Sequence, residues 1–210
     1  MKSLQKIVPI ELSKILETGE FEDDGGLLIT GLDYFADDLK VEFIVNPGDL
    51  EADSKNNQLW ELQIGNLKRE KLEISWSSEI ELHNDHFLIW DFTKSWTKLY
   101  FNGNARNADR FLSEIYQIHR RKFGRWIEVE KYLNVQPDLY GLCRSKYGLF
   151  AEGPKEILVA YEDCLRSHNM NPHFQGDYKG LNSHNREPLL QLLIFGESYF
   201  IAEKFEFTPA

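Results

Sequence analysis

The sequence is poor in sulfur: among 210 residues there are two cysteines, Cys143 and Cys164, and two methionines. Two cysteines make no disulfide framework in a chain of this length, so an apolar core must hold the fold. Cys164 falls on the apolar stripe of a helical segment, where a reduced core thiol is expected, and the residues alone leave a Cys143–Cys164 disulfide open. No run approaches the roughly 18 consecutive apolar residues of a membrane helix. Residues 1–11 carry no long apolar segment ending in small side chains, and there is no Asn-x-Ser/Thr acceptor site. A cytoplasmic protein is the expectation. Also missing are Gly-x-x-x-x-Gly-Lys-Ser/Thr, Gly-x-Ser-x-Gly, His-Glu-x-x-His and Cys-x-x-Cys, which removes the commonest nucleotide, hydrolase and zinc chemistries as first readings.

What is present is aromatic and acidic. Five Trp, nine Tyr and fourteen Phe in a chain that is 42% hydrophobic suit a folded globule. The net charge of −10 is uneven: residues 1–100 hold 20 acids and 10 bases, whereas residues 101–210 hold 14 of each. Such a first half repels a phosphate backbone, so nucleic acid is disfavoured as a partner. The basic group Arg106, Arg110, Arg120, Arg121, Lys122 and Arg125 is expected mainly at solvated helix ends and in ion pairs.

The clearest local pattern runs from Asn107 to Phe123. Ala108, Phe111, Leu112, Ile115, Ile118 and His119 recur at steps of three and four, which a 3.6-residue period gathers into one stripe. Asn107 is placed to cap this helix and Gly124 to end it with positive φ. His119 on the apolar stripe predicts a neutral, hydrogen-bonded core histidine. A second helix is predicted from Pro154 to Asn169 on Ile157, Leu158, Tyr161, Cys164, Leu165 and His168.

Elsewhere the period is two. Val41, Phe43 and Val45 alternate, as do Trp60, Leu62 and Ile64, then Leu72, Ile74 and Trp76, then Ile80 and Leu82, and further strands are expected at Phe87–Phe92 and Leu99–Phe101. Gly141–Arg144 with Tyr147–Glu152 reads as a hairpin, and Leu189–Phe195 with Tyr199–Phe207 as another about Gly196. The polar stretches 48–57 and 169–188 read as loops. The fold class expected is α+β: an antiparallel aromatic-rich β-sheet region closed by an amphipathic helix over residues 1–134, followed by a small ββαββ unit over residues 135–210. Pro137 marks the linker between them, whether the two pack as one domain or two.

The leading functional expectation is a non-enzymatic protein-binding protein, regulatory or neutralising, whose acidic half docks a basic protein without a cofactor. Its contact carboxylates would be those on turns and loops: Asp23, Asp24, Asp37, Asp38, Asp49, Glu51 and Asp53. The alternative is a metal-dependent hydrolase. Imidazoles of His168, His173 and His184 with the Asp177 carboxylate could hold a zinc ion with one open position, although their spacing matches no recurrent ligand pattern. His83 and His86 could share an ion only across a tight turn. Glu203 interrupts the apolar face of Tyr199, Ile201, Phe205 and Phe207, so it is expected at an exposed edge.

Overall fold

The computed structural model describes residues 8–10, 12–13, 25–46, 57–124, 126–134, 139–179 and 189–210. Its strands and helices are, in chain order, β1 (Gly26–Phe35), β2 (Asp38–Asn46), β3 (Gln58–Gly65), β4 (Arg69–Lys71), β5 (Ile80–His83), α1 (Trp90–Thr93), β6 (Ser95–Asn102), α2 (Ala108–Phe123), α3 (Leu139–Arg144), β7 (Tyr147–Pro154), α4 (Lys155–Ser167), β8 (Asn171–Lys179), β9 (Gln191–Phe195), β10 (Ser198–Ala202) and β11 (Lys204–Pro209). Among the described residues the fold is α+β, with three antiparallel sheets and the four helices named above. The chain forms two compact units, residues 1–86 with 188–210, and residues 87–187.

The first unit holds two four-stranded antiparallel sheets, in the orders β1-β2-β3-β11 and β4-β10-β9-β5. One pair of chain segments belongs to both. Gly65 of β3 lies opposite Lys204 of β11, and Arg69 of β4 lies opposite Ile201 of β10, so the pairing continues round a corner where Glu203 donates its N–H to the Gly65 carbonyl. At the other side, Leu27 and Ser77 exchange backbone hydrogen bonds of 2.7 and 2.9 Å, which ties β1 to the segment leading into β5. The inward residues follow the period-two pattern: Leu39, Val41, Phe43 and Val45 of β2, Trp60, Leu62 and Ile64 of β3, and Phe205 and Phe207 of β11 are all buried in one core. Phe43 meets Phe195 and Phe207 edge-on, with centroids 5.3 and 6.1 Å apart, the arrangement that ring quadrupoles favour. Each such side chain taken fully out of water contributes about 1.5–3 kcal/mol.

Two expected strands of the first hundred residues are not strands. Pairing after β4 stops at Lys71, because the Ser198 hydroxyl takes both the N–H and the carbonyl of Glu73 at 2.9 and 3.1 Å in place of a ladder partner. Ile74 and Trp76 consequently stand 75% and 51% exposed rather than on the core face. Phe87–Phe92 is a 3-10 turn, Phe87–Ile89, running into α1; a six-residue apolar run has no period that separates a buried strand from a buried helical turn. Of the opening helix, Ile10, Leu12 and Ser13 are helical, and Leu12 is buried in the first unit's core.

The second unit has a three-stranded antiparallel sheet, β7-β6-β8, with β6 at its centre. Helix α4 packs on all three strands, and α2 packs on α4 and α3. Phe101, Phe111, Phe150 and Tyr161 fill the space between the layers. Two segments depart from the expected ββαββ order. Gly141–Arg144 belongs to helix α3. Asn171–Lys179 is strand β8 rather than part of a loop; it is an edge strand, which tolerates Pro172, and it carries a bulge at Thr97/Lys98 where Gly176 has φ +74 and accepts a hydrogen bond from the Thr97 hydroxyl.

The second unit is inserted between two strands that are neighbours in the first. Ile80 pairs with Phe195 and His83 with Leu192, so the chain makes residues 87–187 where a hairpin would need only a short turn. The two units therefore divide the chain at 86/87 and 187/188 and not at 134/135, because β9, β10 and β11 pair back with β3, β4 and β5. Both cysteines are buried and no disulfide joins them.

Candidate functional site

The hairpin β1–β2 carries the two described members of the expected acidic contact set. Phe35 lies opposite Asp38, leaving Ala36 and Asp37 as a two-residue turn with Ala36 at φ +52. The buried alternation of Leu27 and Ile29 is broken by a bulge between Ile29 and Gly31; beyond it Leu32 still packs, partly buried, on the core, and the strand leaves it from Asp33 onward. Asp33, Tyr34, Phe35, Asp37 and Asp38 are all exposed, Tyr34 by 54% and Phe35 by 60%.

The tip is nevertheless braced. Asp38 Oδ1 accepts from the Asn66 N–H at 2.9 Å, the Asp37 carbonyl from the Leu67 N–H at 2.7 Å, and Glu70 Oε1 from the Tyr34 hydroxyl at 3.2 Å. Partial burial, then the adjacent Glu70 carboxylate, push the Tyr34 phenol above its ordinary value. Behind the tip, Glu42 and Glu61 are directly opposed across β2 and β3, and Lys40 bridges both at 2.9 Å, relieving a like-charge pair that would otherwise destabilise the sheet. Asp23, Asp24, Asp49, Glu51 and Asp53 lie outside the described residues.

Charge sorts by unit more sharply than by sequence half. The first unit holds 22 acidic and 9 basic residues, a net of −13, and the second holds 12 and 15, a net of +3. The basic residues at the end of α2, Arg120, Arg121 and Lys122, occupy its last turn, opposite in position to Asp109 in its first; both placements complement the helix dipole.

Among the described residues, His168, His173 and Asp177 are not brought into one ligand group. His173 is exposed on β8 and stacks on Tyr100, with centroids 5.7 Å apart, and Asp177 is exposed opposite Thr97. His168 ends α4 and directs Nε2 to Glu114 Oε2 at 2.8 Å. His184 lies outside the described residues. Among the described residues, the group whose ligand atoms approach one another is Glu114, Cys164 and His168, all within 4.8 Å. Glu114 escaped the sequence reading because it sits on the polar face of α2; the signal that could have found it was Cys164 and His168 four apart on one face of α4. The hydrogen bond from Arg110, then that from His168, hold the Glu114 carboxyl below the usual range.

His119 is the buried, hydrogen-bonded core histidine the stripe predicts. Its Nε2 faces the Ile127 carbonyl, which only accepts, so Nε2 carries the proton and Nδ1 accepts from the Tyr161 hydroxyl at 2.7 Å. A second buried polar group is Asp91, whose carboxylate is met by the Tyr132 hydroxyl at 2.6 Å and by Lys131 Nζ. His83 and His86 do come together, with ring centroids 5.1 Å apart, while His83 Nε2 contacts Glu81 at 2.7 Å. Burial, then the charge of His83, lower the His86 imidazole to about 4, against the opposing pull of Glu81 and Asp85. Among the described residues no helix is long and apolar enough to cross a membrane. A scan against protein-family models, a search of curated proteins and a search of solved structures each return no match.

Proposed function

We propose that the first unit docks a basic protein partner through the β1–β2 hairpin tip, and that the protein acts by binding, as a regulator or neutralising inhibitor, rather than by catalysis. The observation that carries this reading is the coincidence, at one braced turn, of three exposed carboxylates, Asp33, Asp37 and Asp38, with two exposed aromatic rings, Tyr34 and Phe35, on a unit of net charge −13. Charge of one sign accelerates encounter with an opposite surface and suppresses wrong partners. Affinity comes more from a desolvated aromatic anchor, and Phe35, on the strand face opposite to Tyr34, provides one. The backbone and side-chain bonds from Asn66, Leu67 and Glu70 hold the tip in place before binding, so less ordering entropy opposes association.

The test is recovery of partners from lysate at low salt with the wild-type chain and with a variant carrying Asn or Gln at Asp23, Asp24, Asp37, Asp38, Asp49, Glu51 and Asp53. Asn at position 38 keeps an acceptor for the Asn66 N–H, so the turn survives the change. A basic protein held by the wild type and lost from the variant supports the reading. No basic protein retained, or equal retention by both baits, overturns it.

A further inference from the structure

We propose that Glu114, Cys164 and His168 form a binding site for a thiophilic divalent cation, with zinc the ion their donors match. The site is independent of the acidic hairpin, being built wholly within the second unit. It offers one thiolate, one imidazole and one carboxylate, the donor types that zinc takes with four-coordinate geometry. The three ligand atoms lie within 4.8 Å of one another. Tetrahedral bonds of about 2.0–2.3 Å put neighbouring donors about 3.3–3.7 Å apart, so side-chain torsions close the set without moving a helix.

The surroundings favour an ion. Cys164 and His168 are held four residues apart at the end of α4, where the His168 N–H donates to the Cys164 carbonyl. Phe111 meets the His168 ring edge-on, with centroids 5.2 Å apart, and fixes its orientation. Arg110 Nε takes Glu114 Oε1 at 2.9 Å, leaving Oε2 turned to His168. A carboxylate oriented by a second partner in this way is the usual support of a metal ligand. The cation would lie where the contact between Glu114 Oε2 and His168 Nε2 now runs. Cys164 is buried, whereas Glu114 is partly exposed and gives the ion an entry from solvent. Three protein donors leave a fourth position for water.

Burial, then the nearby Glu114 carboxylate, raise the Cys164 thiol to about 11, so at neutral pH it is protonated until an ion displaces the proton. Zinc binding therefore releases the thiol proton, and affinity rises with pH. The same protonation makes Cys164 a poor nucleophile without an ion.

The experiment titrates the chelator-treated 210-residue chain with Zn²⁺ against a chromophoric chelator, and separately with Co²⁺, whose thiolate bond gives a near-ultraviolet charge-transfer band. The expected result is one ion per chain in the wild type and in Cys143→Ser, about 100-fold weaker binding in Cys164→Ser, about tenfold or more weaker binding in Glu114→Gln, and loss of the cobalt band only in Cys164→Ser. Glu114→Gln changes a partly exposed side chain to its isostere, so it reports even if substitution at the buried cysteine disturbs the fold. Absence of wild-type binding, or equal binding by the wild type, Cys164→Ser and Glu114→Gln, overturns the proposal.

Discussion

Tyr161 shows how a polar pair is kept inside an aromatic core. Its ring is buried against Phe150 and its hydroxyl hydrogen-bonds His119 Nδ1, and the His119 ring lies parallel to it at 6.3 Å between centroids. Tyr161→Phe leaves that nitrogen unsatisfied and should cost about 1–3 kcal/mol in urea unfolding, whereas the same change at exposed Tyr147 should cost under about 0.5 kcal/mol; equal effects would contradict the pairing. The position of His119 was legible from its place on an apolar stripe, but its partner was not, since Tyr161 lies on another helix. His86 supplies a pH dependence. Its imidazole is held at about 4 in the folded chain against about 6.5 unfolded, so the unfolded chain takes up the proton first. Stability is full above pH 6.5 and falls as the pH drops from 6.5 through 4. Thermal melts of the wild type and His86→Gln across this window should converge at low pH, with the wild type losing more; parallel curves would show that His86 contributes no such slope.

At the scale of elements, legibility follows periodicity. Helix α2 was readable end to end: Asn107 Oδ1 accepts from the Arg110 N–H at 2.9 Å, Phe111, Ile115, His119 and Phe123 are buried, and Gly124 closes it with φ +57. Its ψ of −137 differs from the ordinary left-handed cap, yet its N–H still donates to the Arg120 carbonyl. Asn107→Ala should lower stability by about 1 kcal/mol, and Asn107→Ser should restore most of it; a loss that Ser does not recover would place the role of Asn107 elsewhere than the cap. Helix α4 was equally plain. Strand β8 was hidden because Asn171, Pro172, Gly176 and Asp177 carry the composition of a loop, and what makes it a strand is pairing to β6 over Asn102 to Ser95. Helix α3 was hidden by its length, one and a half turns having too few residues to display a period. The segment after β4 looked like a strand for the opposite reason: Leu72, Ile74 and Trp76 alternate, but Ser198 takes the backbone of Glu73, and while Leu72 still packs on the core, Ile74 and Trp76 are left outside.

For the whole molecule, the insertion explains both what the sequence concealed and why the charge reading sharpened. Antiparallel pairing of β5 with β9 joins segments on either side of the second unit, and such distant pairing has no local signature, so a linear reading placed the boundary at Pro137. The acidic bias was visible, yet its true carrier is the two-part β unit: moving 87–100 out and 188–210 in turns −10 into −13. The hairpin tip was only partly legible, for Asp37 and Asp38 announce a turn, while the outward direction of Phe35 depends on the change of phase made by the bulge before Gly31. The most direct measurement is the association rate of the recovered basic partner as a function of ionic strength, for the wild type, the seven-site neutralised variant and Phe35→Ala. Raising ionic strength from about 0.01 to about 1 M shrinks the screening length from about 30 to about 3 Å. The account predicts that the wild-type on-rate falls at least about tenfold over that range, that the neutralised variant starts lower and falls less, and that Phe35→Ala keeps the salt dependence but dissociates at least about tenfold faster. A wild-type on-rate indifferent to salt, or a Phe35→Ala complex as long-lived as the wild type, would contradict docking through this hairpin.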